Sequence, residues 1–85
     1  MSDLNHKNAN FMYIIYENAD AIVKSLDSNH TMSVGKLALI LGMDVNLTWQ
    51  YLLDCVPIYK ENINVMLDGT TVWVNPSIKQ NRMIL

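Results

Sequence analysis

The chain contains few of the residues that build reactive or metal-binding sites. Its single cysteine, Cys55, excludes an internal disulfide, and its place in an apolar run favours a buried, inert thiol. The two histidines, His6 and His30, are far apart and have no cysteine pair or acidic loop near them, so no metal site is predicted. Three glycines are too few for a phosphate-binding loop. Since no carboxylate pair or Ser-His-Asp set is present either, we expect no cofactor and no enzymatic activity.

Long apolar runs are also missing. No run reaches the roughly 18 residues that a membrane span requires, and the first residues lack the basic segment and apolar stretch of a secretion signal. These absences predict a cytoplasmic protein that is not bound to a membrane. A chain of 85 residues has room for one hydrophobic core, so a single domain is expected.

Charged residues are scarce as well. They make up 16% of the chain, against roughly 25% in an average globular domain, whereas 51% of the residues are hydrophobic. A chain this small and apolar either exposes apolar patches or covers them with another subunit. We therefore expect a homodimer or a stable complex. Six lysines and arginines against eight acidic residues give a net charge of −2, so the protein is not basic.

The first part of the chain has a helical pattern. Residues 1–9 are polar and irregular, which predicts a flexible arm. Asn10 can cap a helix, after which apolar residues recur at helical spacing: Phe11, Ile15, Ala19, Ile22, Val23 and Leu26. Four more residues widen this stripe: Met12, Tyr13, Ile14 and Tyr16. The wide stripe is either a dimer contact or a broad core face, and the pattern does not decide between them.

Two shorter helices are predicted next. Residues 30–32 are enough for a single β-bridge, after which Ser33 caps a helix over residues 34–41 that ends at Gly42. Asp44 or Asn46 caps a third helix, which continues to about residue 56 and stops before Pro57. Only three residues connect these helices, a length typical of a helix-turn-helix.

A β-hairpin is predicted around Asp68 and Gly69, because this dipeptide favours a two-residue turn with positive φ at both positions. Pairing outward from the turn sets Leu67 opposite Thr70 and Val65 opposite Val72, and Pro76 closes the second strand. The face that packs on the helices then carries Ile63, Val65, Leu67, Val72 and Val74. The outer face carries Asn64, Met66, Thr71, Trp73 and Asn75.

This order of elements resembles the winged helix-turn-helix superfamily over roughly residues 10–75. Residues 33–44 are similar to its second helix and turn, with a Leu-Ala pair at Leu37 and Ala38 and a Leu-Gly ending at Leu41 and Gly42. The resemblance implies an α+β fold with a three-helix core and a C-terminal hairpin wing. Residues 10–76 would form this domain, and residues 77–85 a tail that docks or dimerises.

The resemblance also implies a function. Residues 46–55 would form a recognition helix in the major groove of double-stranded DNA, as in a small dimeric transcription regulator. A helical wheel turns Val45, Thr48, Leu52 and Cys55 inward and leaves Asn46 and Gln50 outside to contact adenine. Thr48 would reach a phosphate if it lay at the edge. The candidate DNA-binding residues are Lys36, Asn46, Thr48, Trp49, Gln50, Lys60 and Arg82.

One departure from that superfamily favours an alternative. The outer face of the recognition helix has no lysine or arginine and includes Asp54, and the hairpin tip carries Asp68 where a basic residue is expected. The alternative is a protein-interaction module, since tryptophan and methionine are typical of interfaces. These side chains could instead complete the core, and that interpretation applies more to Trp49 than to Trp73. The candidate interface residues are Tyr13, Tyr16, Leu53, Met66 and Trp73, together with the apolar end of the tail, Met83, Ile84 and Leu85. We expect that end to pack on the first helix of the same or a neighbouring subunit.

Overall fold

The computed structural model describes residues 2–58 and 64–78, and the side chains of residues 10–54 and 64–78. The described residues form an α+β fold with four helices and a three-stranded antiparallel sheet. The elements are α1 (Ser2–Glu17), α2 (Ala19–Ser25), β1 (Thr31–Ser33), α3 (Val34–Leu41), α4 (Val45–Ile58), β2 (Val65–Asp68) and β3 (Thr71–Val74). The α+β class expected from the sequence is thus confirmed.

Two helices replace the single first helix that the sequence predicted. α1 begins at Ser2 and not near Asn10, so the irregular backbone expected before Asn10 is wrong. The helix is interrupted at Asn18, whose side-chain Nδ2 donates to the carbonyl of Ile14 over 2.8 Å. The backbone N–H of Asn18 is shared between the carbonyls of Ile14 and Ile15, each at 3.1 Å. A polar side chain that bonds to a backbone carbonyl of its own helix favours such breaks.

The predicted bounds of α3 are confirmed because both of its ends carry strong local signals. At the start, the Ser33 hydroxyl accepts a hydrogen bond from the backbone N–H of Lys36 at 3.1 Å. At the end, Gly42 has a left-handed φ of 67°, and its N–H donates to the Leu39 carbonyl over 3.2 Å. Both arrangements satisfy backbone groups that the end of a helix leaves unpaired.

Asp44 rather than Asn46 caps α4. One carboxylate oxygen, Oδ2, accepts from the backbone N–H of Asn46 at 2.9 Å and of Leu47 at 3.1 Å. The expected stop before Pro57 is wrong, because α4 continues through Pro57 to Ile58. A proline in the last turn removes only one backbone donor, and the helix tolerates that loss more easily at its end than in its middle.

The sheet has the strand order β1-β3-β2. β1 was expected to be a single bridge, but it forms a three-residue strand in which Thr31 pairs with Trp73 and Ser33 with Thr71. The pairing places β3 at the centre of the sheet, with β1 and β2 at its edges. The hairpin therefore gains a third strand from the segment just before α3.

The predicted hairpin is present, but its register is wrong by two residues. Val65 pairs with Val74 and Asp68 pairs with Thr71, so the loop residues are Gly69 and Thr70. Gly69 has a φ of 63°, and Thr70 does not have a positive φ. This combination is typical of a turn with glycine at its first central position. Because side chains alternate with a period of two, a shift by two residues leaves the paired residues on their predicted faces. These are Val65, Leu67, Val72 and Val74 on one face and Met66, Thr71 and Trp73 on the other. Ile63, which was predicted on the first face, lies outside the described residues.

The core lies between the helices and one face of the sheet. Val65, Val72 and Val74 are buried there, as the hairpin pattern predicted, and Leu67 is half-buried. The helices contribute Phe11, Met12, Ile15, Tyr16, Ala19, Ile22, Val34, Leu37, Ala38 and Leu52. Phe11 on α1 stacks on Tyr51 of α4, with ring centroids 5.2 Å apart. That contact packs α1 against α4.

Asn64 was expected on the outer face of the hairpin, and this expectation is wrong. Asn64 precedes β2 and is only 1% exposed. Its side-chain Nδ2 donates to the hydroxyl oxygen of Tyr16 over 3.0 Å, and its side-chain Oδ1 accepts from Nδ2 of Asn75 at 3.3 Å. Its backbone carbonyl accepts from the backbone N–H of Asn75 at 2.8 Å. A buried amide has to find such partners, so hydrogen bonding and not strand alternation sets its direction.

Candidate binding surfaces

Two of the α4 residues that the helical wheel predicted to point inward are buried. Thr48 and Leu52 are both fully buried. The Thr48 hydroxyl donates to the backbone carbonyl of Asp44 over 2.9 Å. The phosphate contact expected for Thr48 is therefore wrong, because the residue has no exposed surface and its donor is already used.

The outward face of α4 is exposed and contains no cation. We call it the α4 surface, and it consists of Val45, Asn46, Leu47, Gln50, Leu53 and Asp54. Leu53 is 50% exposed and Leu47 is 42% exposed, while Asn46 and Gln50 are exposed beside them. Val45 was expected to point inward, but it is 46% exposed in the first turn of α4. The surface thus combines exposed aliphatic side chains with two amides, and Asp54 is its only charged residue.

Trp49 lies at the edge of the α4 surface. The residue is half-buried and packs against the core cluster. The interpretation of Trp49 as a residue that completes the core is therefore supported. Only the exposed part of its ring remains for a partner.

Lys36 is exposed at the start of α3 and already has a partner within the chain. Its Nζ donates to the backbone carbonyl of Ser25 over 3.3 Å, at the last residue of α2. A positive charge at a helix C-terminus is favourable, because the unpaired carbonyls there carry partial negative charge. Lys36 therefore has a structural role that needs no phosphate.

Acidic groups outnumber basic groups over the part of the chain whose side chains are described. The two basic side chains there are Lys24 and Lys36. The acidic side chains there are Glu17, Asp20, Asp27, Asp44, Asp54 and Asp68. One of these carboxylates, that of Asp44, lies on the N-terminus of α4, the end of a helix that would otherwise attract an anion. The described surface is consequently poor in groups that bind phosphate.

A second surface lies on the outer face of the sheet. The register aligns Thr31, Trp73 and Met66 in one row across the three strands, and Thr71 and Asp68 fall in the next row. These five side chains line an open cavity of about 360 Å³. We call it the sheet cavity. Two predicted interface residues, Met66 and Trp73, lie together here. Asp68 adds a carboxylate to the same lining, although the sequence did not indicate that Asp68 belongs to a binding site.

The tyrosines on α1 have different environments. Tyr16 is 2% exposed and bonded to Asn64, so it belongs to the core and offers no surface to a partner. Tyr13 is 58% exposed. Leu39 on α3 is more exposed still, at 81%, and it was not among the residues predicted to contact a partner. The helical wheel of α3 is the signal that could have found it, because Leu39 lies opposite the buried side chains of Val34 and Leu37.

Several predicted site residues lie outside the described residues. These are Lys60, Arg82, Met83, Ile84 and Leu85, and the side chain of Cys55 is also outside them. Within the described chain, no group of three or more histidine, cysteine or acidic residues is placed to hold a metal ion. No helix over the same residues has the length and apolar character needed to cross a membrane.

Comparison of the chain with protein-family models, curated proteins and solved structures gives no match to any of the three. The functional interpretation therefore depends on the residues and their geometry alone.

Proposed function

We propose that this chain is a winged-helix domain without catalytic activity that binds a protein partner through the α4 surface. The winged-helix interpretation is supported by the order of the elements, with the hairpin after α4 and β1 as the third strand. It is also supported by the connection between α3 and α4, which consists of Gly42, Met43 and Asp44. In such a domain α4 occupies the position of the recognition helix.

One observation carries the choice of a protein partner. Leu47 and Leu53 expose about half of their surface on the α4 surface, where the only charged side chain is the carboxylate of Asp54. Fully burying an exposed leucine contributes roughly 1.5 to 3 kcal/mol, and burying the exposed half of Leu47 or Leu53 would contribute roughly half of that. Phosphate binding depends on lysine and arginine, which this surface lacks. The chemistry of the α4 surface therefore suits apolar contact with a protein better than contact with DNA.

DNA binding is the second candidate, and a specific observation favours it. Asn46 and Gln50 are four residues apart on α4 and both are exposed, so they share one side of the helix. Amide side chains can contact adenine with two hydrogen bonds in the major groove. Phosphate contacts would then have to come from Lys36 and from Lys60 and Arg82 of this chain or of a second copy.

The protein-binding proposal is tested by comparing two variants with the same charge change. The tagged wild-type chain, Leu53→Glu and Leu39→Glu are used to recover proteins from a lysate of the source organism, and the recovered proteins are quantified by mass spectrometry. We expect a partner whose recovery falls at least tenfold with Leu53→Glu and stays within twofold of wild type with Leu39→Glu. Leu39 is the matched control because it is an exposed leucine on the neighbouring helix.

Equal loss in the two variants would attribute the effect to added charge and contradict a site on α4. The DNA candidate is tested with the same proteins by fluorescence anisotropy on a pool of random duplexes at low and high salt. Binding to duplexes that weakens steeply with salt and is lost with Gln50→Ala would replace the proposal by the second candidate. We expect no such binding.

A further inference from the structure

The sheet cavity is a second binding feature that the α4 surface does not include. Its volume of about 360 Å³ is within the range of roughly 300 to 1,000 Å³ that is usual for ligand sites. All five lining side chains come from the sheet: Thr31, Met66, Asp68, Thr71 and Trp73. The strands therefore hold the site rigidly, and no loop has to close to form it.

The lining combines an aromatic face, an apolar chain and one negative charge. Trp73 is half-buried at the centre of the sheet, and Met66 is its direct partner across the strands. Asp68 pairs with Thr71, two residues from Trp73, so the carboxylate and the indole are diagonal neighbours about 7 Å apart at their Cβ atoms. Asp68 is the only charged residue of the lining, and its carboxylate has no hydrogen-bond or ion-pair partner among the described residues.

These three features suit a ligand that carries a positive charge at the end of an apolar chain. An indole face attracts a cation, more strongly when the cation has lost part of its water, and methionine adapts to an alkyl chain. A planar guanidinium can stack on an indole and donate to a carboxylate at the same time. An anion would meet the carboxylate of Asp68 with no cation in the lining to offset the repulsion, so charge complementarity selects the occupant.

We infer that the sheet cavity binds an arginine or lysine side chain from an exposed segment of a partner protein. The indole of Trp73 covers the cationic group, Asp68 forms an ion pair with it, and Met66 packs on the alkyl stem. The site lies on the sheet and not on α4, so it extends the proposed function and does not depend on the contact made by Leu53.

The inference is tested by nuclear magnetic resonance with the ¹⁵N-labelled full chain. The probe is the tripeptide acetyl-Leu-Arg-Leu-amide, and its control is the same peptide with citrulline, a neutral isostere of arginine. The two tryptophans give separate indole N–H signals, so Trp49 serves as an internal control for Trp73. We expect saturable shifts at Trp73 and Met66, with no comparable shift at Trp49.

The charge dependence decides the outcome. We expect the citrulline peptide to bind at least fivefold more weakly than the arginine peptide, since it lacks both the ion pair and the cation–π contact. Asp68→Asn should weaken the arginine peptide about twofold to fivefold, as expected for an exposed ion pair. Leu53→Glu should leave this binding unchanged, which separates the sheet cavity from the α4 surface.

Three results would overturn the inference. Equal binding of the arginine and citrulline peptides would show that the cavity does not recognise charge. Shifts that appear at Trp49 and not at Trp73 would place the peptide elsewhere. Binding of a free organic cation, benzyltrimethylammonium, without binding of the arginine peptide would exclude a protein segment as the occupant.

Discussion

At the scale of the residue, the backbone at the end of α3 requires a glycine. Gly42 has a φ of 67°, and apart from its own residue and its chain neighbours nothing lies within 4 Å of the place where a Cβ would be. The cost of Gly42→Ala therefore comes from the left-handed backbone alone, about 1 kcal/mol in the free energy of unfolding. Gly35 lies inside α3, where a Cβ would meet only the Ser33 hydroxyl at 4.0 Å, so Gly35→Ala should stabilise the protein by about 0.5 to 1 kcal/mol.

Urea unfolding of the two alanine variants measures both changes against the same wild-type curve. Opposite signs are expected for Gly42→Ala and Gly35→Ala. A loss of stability in both variants would mean that the space around α3, and not the backbone conformation at Gly42, determines the effect.

Predictions from sequence succeeded where one residue and its close neighbours decide the structure. The Ser33 cap and the Gly42 ending were predicted because a hydroxyl or a left-handed φ acts within three or four residues. Val45 shows the limit of such reasoning. A helical wheel gives the direction of its side chain, but its exposure depends on how far neighbouring elements extend, and the sequence of α4 does not contain that information.

At the scale of the element, one hydrogen bond joins α1 to the residue that precedes β2. The hydroxyl of Tyr16, which is 2% exposed, accepts from Nδ2 of Asn64, which is 1% exposed. Tyr16→Phe removes that acceptor and leaves a buried donor with one partner fewer, which should cost about 1 to 3 kcal/mol. Tyr13→Phe is the control on the same helix, and because Tyr13 is exposed its effect should stay within about 0.5 kcal/mol.

Thermal unfolding followed by circular dichroism compares the two phenylalanine variants. If both variants melted at the temperature of the wild type, the hydrogen bond between Tyr16 and Asn64 would contribute nothing net. Amide hydrogen exchange gives a second check, since faster exchange near Asn64 in the Tyr16→Phe variant is expected only if this bond holds the segment in place.

The same bond explains what sequence reasoning missed about the elements. Alternation along the hairpin placed Asn64 outside, because the pattern could not indicate that Tyr16, far away in the chain, supplies a partner in the core. The hairpin register failed for a different reason. Gly69 can occupy either position of a two-residue turn, and the dipeptide Asp68 and Gly69 does not determine which one. The predicted faces of the paired residues did not change with the register, so Met66, Thr71 and Trp73 were assigned to one face correctly. Asp68, which was placed in the turn, and Thr31, which was placed in a bridge, were not assigned to that face.

At the scale of the whole molecule, charge limits both function and stability. At pH 7 the chain has a net charge of −2, and acid that protonates its carboxylates turns the net charge positive and adds self-repulsion. The carboxylate of Asp27 contributes specifically to this sensitivity to acid. Hydrogen bonds from the backbone N–H of Thr31 at 3.0 Å, from the Thr31 hydroxyl at 2.8 Å and from the N–H of Asn29 at 2.8 Å hold the pKa of Asp27 below its ordinary value of 3.8.

The lowered pKa of Asp27 fixes the sign of its effect on stability. Because the folded state binds the proton of Asp27 less tightly than the unfolded state, the ionised group stabilises the fold at any pH above 3.8. That contribution is lost as the pH falls from about 3.8 through the lower pKa of the folded state. Asp27→Asn should therefore lower the melting temperature at pH 7, and its difference from wild type should shrink steadily below pH 3.8.

Melting temperatures between pH 7 and pH 2 test this expectation. Thr31→Val is the matched variant, because it removes the hydroxyl donor and keeps the backbone donor, so its loss at pH 7 should be smaller and should follow the same trend with pH. If the difference in melting temperature between wild type and Asp27→Asn stayed constant from pH 7 to pH 2, the ionisation of Asp27 would not stabilise the turn between α2 and β1. The carboxylate of Asp27 would then have no share in the acid sensitivity of the molecule.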